Sequence, residues 1–189
     1  MLLNSFEFIL VFLPLSLAVY YCLGVIGRRA QISAICGFSI IFYYIWSGYT
    51  TIWLLISVIV NFVFSVAIQR YAKSDRIAKI VVTSSIAFNI LYLAYFKYAS
   101  FIASQFFGLN STAYNHVLPL GISFFSFTQT MYLIDLYRRQ SRQEDLLTYG
   151  GFVVFYPHLP SGPLYHYSEI MPQLKRKSER SVFEACLSC

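Results

Sequence analysis

From Ala30 to Gln69 the chain runs for 40 residues without an Asp, Glu, Lys or Arg. Further charge-free gaps cover residues 8–27, 80–96, 98–134 and 146–168. About 20 apolar residues in a helix cross a bilayer core, so the 40-residue gap holds two spans. With 58% hydrophobic residues, 12% charged and a mean hydropathy of +0.60, a water-soluble domain is excluded. The first gap does not read as a secretory signal, because Met1 to Glu7 carries no basic residue and more apolar sequence follows Gly24 to Gly27 at once.

Orientation comes from where the cations fall. Thirteen of the fourteen basic residues form four groups: Arg28 and Arg29; Arg70, Lys73, Arg76 and Lys79; Arg138, Arg139 and Arg142; and Lys175, Arg176, Lys177 and Arg180. Short loops rich in Lys and Arg stay cytoplasmic. Placing the first three groups inside gives an extracytoplasmic N-terminus and spans near 8–27, 30–46, 51–69, 79–97 and 118–137. The Ser47–Tyr49 turn then lies outside, as does the segment from Lys97 to Val117. Residues 98–107 are too short to cross and are expected along the outer interface. The clusters Phe42 to Tyr49 and Tyr95 to Tyr98 fit aromatic anchors there.

The stretch 146–168 needs a different solution, because the basic groups on either side of it belong on one face. It must enter the membrane and return. Pro157, Pro160, Gly162 and Pro163 suit such a re-entrant hairpin, since broken backbone is tolerated at membrane depth only where protein or water surrounds it. The expected fold is thus an all-α integral membrane domain over 1–189, with about five transmembrane helices plus a re-entrant hairpin. Residues 169–189 read as a cytoplasmic basic segment and the start of a further helix.

Polar residues inside spans are few. Ser123, Ser126, Gln129 and Thr130 share one face at helical spacing, a stripe directed into a bundle or a pore. Asn61 and Asn89 lie mid-span and are expected to bind helices together rather than handle substrate. Asp135 is intramembrane or just at its cytoplasmic edge, where Arg138 and Arg139, three and four positions on, can neutralise it; the alternative role is in a cytoplasmic substrate entrance. The Cys186–Cys189 pair has no second pair and no nearby His, so its spacing is no metal signature. No nucleic-acid partner is expected, because topology accounts for the basic groups.

The runs LPLGISFFSFTQTMYLIDLYRR and FVVFYPHLPSGPLYHYSEIMPQL resemble the N-terminal half of the membrane-bound O-acyltransferases. The likeness is to the bacterial branch that acetylates alginate and other envelope polysaccharides. The opening MLLNSFEFILVFLPLSLAVYY and the FKYASF at 96–101 are similar to the same branch. What the resemblance implies is half of a larger helical bundle in the plasma membrane, transferring an acyl group to a hydroxyl of an extracytoplasmic polymer. The implied donor is acetyl-CoA or another acyl thioester, with no bound cofactor or metal. Implied partners are the bilayer and a polysaccharide acceptor or an extracytoplasmic acyl-relay protein. D-alanyl transfer to teichoic acid, a noncatalytic fragment and a small transporter stand as alternatives.

Members of that family are longer, and their catalytic histidine lies in a second half that this chain does not reach, so a truncated, split or partial reading frame is expected. His158 stands where the polysaccharide branch often carries Gln, in a Phe-Pro-Gln-Leu pattern followed by Gly-Pro. It is therefore read as a tunnel-wall residue before a catalytic base. The expected tunnel lining is Ser123, Ser126, Gln129 and Thr130 with Tyr156, Pro157, His158, Ser161, Gly162 and Pro163. The expected donor entrance comprises Asp135, Arg138, Lys175, Arg176 and Arg180, whose cations would attract a donor's phosphates.

Overall fold

The computed structural model describes residues 6, 8–107, 119 and 121–155, with backbone alone for residue 9 and for 99–107. Every described element is helical. A π-helical turn, Phe8–Phe12, leads into α1, Leu13–Gly24. Pro14 falls in the first turn of α1, directly behind that π-helical turn. Then come α2 (Arg28–Ser47), α3 (Thr51–Arg70), α4 (Asp75–Phe107), α5 (Ile122–Tyr137) and α6 (Leu146–Val153).

Among the described residues, the stretches Arg28–Arg70 and Asp75–Tyr98 are long and apolar enough to cross a membrane. The first is divided at the expected corner. Gly48 takes φ 58° there, a conformation that L side chains rarely adopt, and a single 3-10 turn, Gly48–Thr50, redirects the chain into α3. Thr50 and Thr51 tie the corner down by donating to the carbonyls of Ser47 and Gly48, at 2.8 and 2.7 Å.

Helix α4 differs from expectation at its far end. Residues 98–107 form no separate interfacial piece; they continue one helix of 33 residues. At about 1.5 Å per residue it is roughly 50 Å long, well beyond the ~30 Å of a hydrocarbon core. No Gly or Pro interrupts Asp75–Phe107, so nothing in the sequence stops the helix at the interface. Helix α5 is shorter than the span expected at 118–137. It starts behind Gly121, whose φ is 66°.

Two apolar clusters hold the helices. Phe8, Phe12 and Phe42 close the α1–α2 pair, with ring centroids 5.3 to 5.6 Å apart. The larger cluster includes Tyr43, Leu54, Phe125, Leu133, Tyr149 and Phe152. Short α6 is part of it, packing on α2, α3 and α5 with Tyr149, Phe152 and Val153 buried.

The helix ends sort the cations as expected. Arg139 Nη2 donates to the Ala72 carbonyl at 3.0 Å, and the Tyr137 hydroxyl donates to Asp75 at 3.1 Å. These contacts join the 70–79 and 138–142 loops. The charge of Arg29, at the start of α2, acts on Asp145, at the start of α6. The first three basic groups therefore share one end of the bundle. From that end α6 packs into the bundle; the remainder of the 146–168 segment, and with it the turn of the expected hairpin, lies outside the described residues.

Candidate functional site

A chain of buried polar side chains crosses the bundle from α4 to α6. Its α3–α4 part is tight. Asn61 Nδ2 donates to Asn89 Oδ1 at 3.2 Å, and Asn89 Nδ2 returns a bond to Asn61 Oδ1 at 2.7 Å. Each amide also donates to the carbonyl one turn back on its own helix, Ser57 at 3.0 Å and Ser85 at 2.9 Å. Two amides with every N–H satisfied make a helix clamp, as expected of them, and leave no donor for a ligand.

The α3–α5–α6 part is looser. Gln129 is fully buried, and its Nε2 donates to Ser57 Oγ at 3.2 Å. Its Oε1 meets the Ser57 and Tyr149 hydroxyls at 3.4 Å each, long for O–H···O bonds. Tyr149 reaches this position because its ring packs between Tyr132 and Phe62, with centroids 4.9 and 6.0 Å away. Gly151, on the next turn side of α6, allows that helix to lie close on α2. A Cβ there would stand 3.1 Å from Cys36 Sγ and 3.3 Å from Ile32 Cγ2.

One turn before Gln129, the Ser126 hydroxyl is buried with no hydrogen-bond partner among the described residues. Thr130 donates back to the Ser126 carbonyl at 2.8 Å and is half-buried, as is Ser123. The expected stripe therefore faces the bundle, with Ser126 and Gln129 innermost. Thr128, which the stripe omitted, is buried as well, but its hydroxyl is spent on the Phe124 carbonyl at 3.0 Å.

At the basic end, Asp135 is only 4% exposed, whereas Arg138 lies in the open. The two thus share an end of the bundle but not a surface. The other expected entrance residues, Lys175, Arg176 and Arg180, lie outside the described residues, as do the lining residues Tyr156, Pro157, His158, Ser161, Gly162 and Pro163. All three histidines fall there too, so the described residues contain no imidazole. No three His, Cys, Asp or Glu side chains converge among them.

Ser57 and Tyr149 are the partners of Gln129 that the sequence reading missed. Ser57 was detectable: it stands one helical turn before Asn61, on the same face of α3. Tyr149 carried no such mark, because α6 presents it through packing between two aromatic rings.

No family model matches the chain, and no solved structure matches it. Curated relatives do. The chain is 27% identical over 186 residues to a probable alginate O-acetylase, AlgI, of Pseudomonas aeruginosa, a match covering 94% of this chain and 35% of that protein. A protein of the same name from Pseudomonas putida is 28% identical over 193 residues, covering 94% and 38%. A peptidoglycan O-acetyltransferase of Helicobacter pylori is 26% identical over 213 residues, covering 95% and 40%. The chain thus spans two fifths or less of the length of these relatives.

Proposed function

We propose that this chain forms part of a multi-pass membrane O-acyltransferase that moves an acetyl group to a hydroxyl of an extracytoplasmic polymer. The observation that carries the reading is the breadth of the likeness: 94% or more of the chain matches relatives named for O-acetylation of two different polymers. In such an enzyme, acetyl-CoA or another acyl thioester is the donor, delivered from the cytoplasmic side of the plasma membrane. The acceptor is a polysaccharide or peptidoglycan hydroxyl, reached directly or through an extracytoplasmic relay protein. The N-terminus faces outward, and the end gathering the basic loops faces the cytoplasm.

In this reading Ser126 and Gln129 form part of the wall of the acyl-transfer path, and 146–168 is a re-entrant segment lining it. Support comes from the contrast in hydrogen bonding. The Asn61–Asn89 pair has every N–H paired, whereas the Gln129 carbonyl oxygen is held by long contacts alone and the Ser126 hydroxyl by none that is described. Groups left short of partners are those that a thioester or hydroxyl can still engage. Burial keeps water from competing for the acyl group. His158 continues the same wall, offering one donor and one acceptor. Lys175, Arg176 and Arg180 stand with Arg138 at the donor entrance.

The test is acetyl transfer by a full-length version in membranes, using acetyl-labelled CoA and purified alginate or peptidoglycan as acceptor. The reading requires label to become alkali-labile ester on a polymer. No transfer to either polymer or to an intermediate protein, from a correctly inserted enzyme, sinks it.

A further inference from the structure

At the basic end, the α3–α4 turn, the start of α4 and the loop after α5 enclose a cleft of about 170 Å³. Its floor includes Ile68 and Leu136, both buried. Its polar lining includes Gln69, Asp75, Arg139, Arg142 and Gln143. The same loops and helix ends carry exposed Arg70, Lys73, Arg76, Lys79 and Arg138, against the carboxylates Glu144 and Asp145. Asp75, the one carboxylate lining it among the described residues, accepts a hydrogen bond from the Tyr137 hydroxyl. Within the lining, Arg139 and Arg142 outnumber it.

Arg139 is the unusual residue of the cleft. The end of α5 closes as a Schellman motif: Gln140 N–H donates to the Asp135 carbonyl at 2.9 Å and Arg139 N–H to the Leu136 carbonyl at 3.1 Å. The left-handed position of that motif usually belongs to Gly, yet here Arg139 occupies it at φ 59°. A non-glycine residue there costs roughly 1 kcal/mol. The Arg139 guanidinium lines the cleft, where one N–H holds the Ala72 carbonyl and the others have no partner among the described residues. The two Schellman hydrogen bonds hold that conformation in place.

We infer that the cleft between the α3–α4 turn and the loop after α5 holds the phosphate of an anionic lipid headgroup. Arg139 and Arg142 pair with the phosphate, and the amides of Gln69 and Gln143 donate to the headgroup. The apolar floor receives the start of the glycerol backbone. The volume favours this over a nucleotide-bearing donor, since sites for larger ligands occupy about 300 Å³ or more. An arginine fork on a basic rim suits a phosphodiester at the membrane surface. The inference rests on α3 and α4 being membrane spans and is independent of acyl transfer.

Native mass spectrometry of the purified chain in nonionic micelles, titrated with phosphatidylglycerol, phosphatidylcholine or inorganic phosphate, tests it. One phosphatidylglycerol is expected to be retained in preference to phosphatidylcholine. Each of Arg139→Gly and Arg142→Gln weakens that retention about fivefold. Arg139→Gly also relieves the strained φ, so the variant keeps its helicity and thermal stability while losing lipid. Arg28→Gln, at the same end but outside the cleft, leaves retention unchanged. Equal retention of both lipids, or equal retention by wild type and well-folded variants, overturns the inference. Displacement of phosphatidylglycerol by millimolar inorganic phosphate overturns the lipid assignment in favour of a free-anion site.

Discussion

Asn61 on α3 and Asn89 on α4 face each other 28 positions apart in the chain and exchange two amide hydrogen bonds, at 3.2 and 2.7 Å. The geometry is self-complementary: each residue is donor and acceptor to the other. Replacing one partner strands the other amide in a buried site, at a cost of about 1 to 3 kcal/mol. Replacing both removes the debt. The cycle of Asn61→Leu, Asn89→Leu and the double variant should therefore show coupling of about 1 kcal/mol, near the upper range for hydrogen bonds between membrane helices. Unfolding in mixed micelles measures it; additive losses would mean that the pair does not act as a clamp.

Ser126 offers the opposite case. Its hydroxyl is buried without a partner among the described residues, so Ser126→Ala should leave the helical bundle as stable as before or stabilise it by up to about 1 kcal/mol. If the hydroxyl serves substrate, the same change in a full-length enzyme lowers turnover several-fold with no loss of folded protein. Unchanged stability together with unchanged kinetics removes Ser126 from the proposed wall.

The expected polar stripe and the sorting of basic loops were legible because both rest on period and charge, which survive without knowledge of partners. The Ser47–Tyr49 corner was legible because it breaks the 40-residue apolar run. The continuation of α4 past Tyr98 was not. An interfacial segment and a helix overshooting the membrane have the same composition, and only the backbone separates them. The Tyr149–Gln129 contact was hidden for another reason: it depends on the depth to which α6 is inserted, which Gly151 permits but does not announce. The left-handed Arg139 could not be foreseen, since sequence preference at that position points to Gly.

Sidedness is open to direct labelling. In a background with all four cysteines replaced by Ser, Lys73→Cys sits in the α3–α4 turn, among the cations of the basic end. A membrane-impermeant maleimide applied to intact cells should spare it and modify Ser111→Cys. Labelling at position 73 from outside would invert the proposed orientation.

Gly151 makes the packing of α6 testable. A methyl group there meets Cys36 Sγ at 3.1 Å and Ile32 Cγ2 at 3.3 Å, both tighter than ordinary contact. Gly151→Ala gains helix propensity of about 1 kcal/mol but requires the Cys36 and Ile32 side chains to yield by a few tenths of an ångström, and Gly151→Val should lose about 1 to 3 kcal/mol through overpacking. Pairing Gly151→Ala with Cys36→Ala removes the nearest obstacle and should recover stability relative to Gly151→Ala alone. Failure of that rescue, with helicity intact, would show that the α2–α6 approach is wider than described.

Asp145 gives a pH signature at the head of α6. Its carboxylate accepts a hydrogen bond from the Thr148 hydroxyl at 2.7 Å, and that bond, aided by the Arg29 charge, holds its pKa below the usual carboxylate value despite an opposing desolvation cost. A carboxylate whose folded pKa is depressed adds stability that is fully present above its unfolded pKa of about 3.9. The contribution fades as pH falls through the lower folded value. Because the group is largely open to solvent, the effect is small. Asp145→Asn should therefore melt slightly below wild type at neutral pH, and the two should converge below about pH 4. Thr148→Val should reproduce most of the neutral-pH loss, since it removes the leading cause of the shift. A gap between wild type and Asp145→Asn that persists unchanged into acid would mean that the carboxylate charge does not stabilise the start of α6.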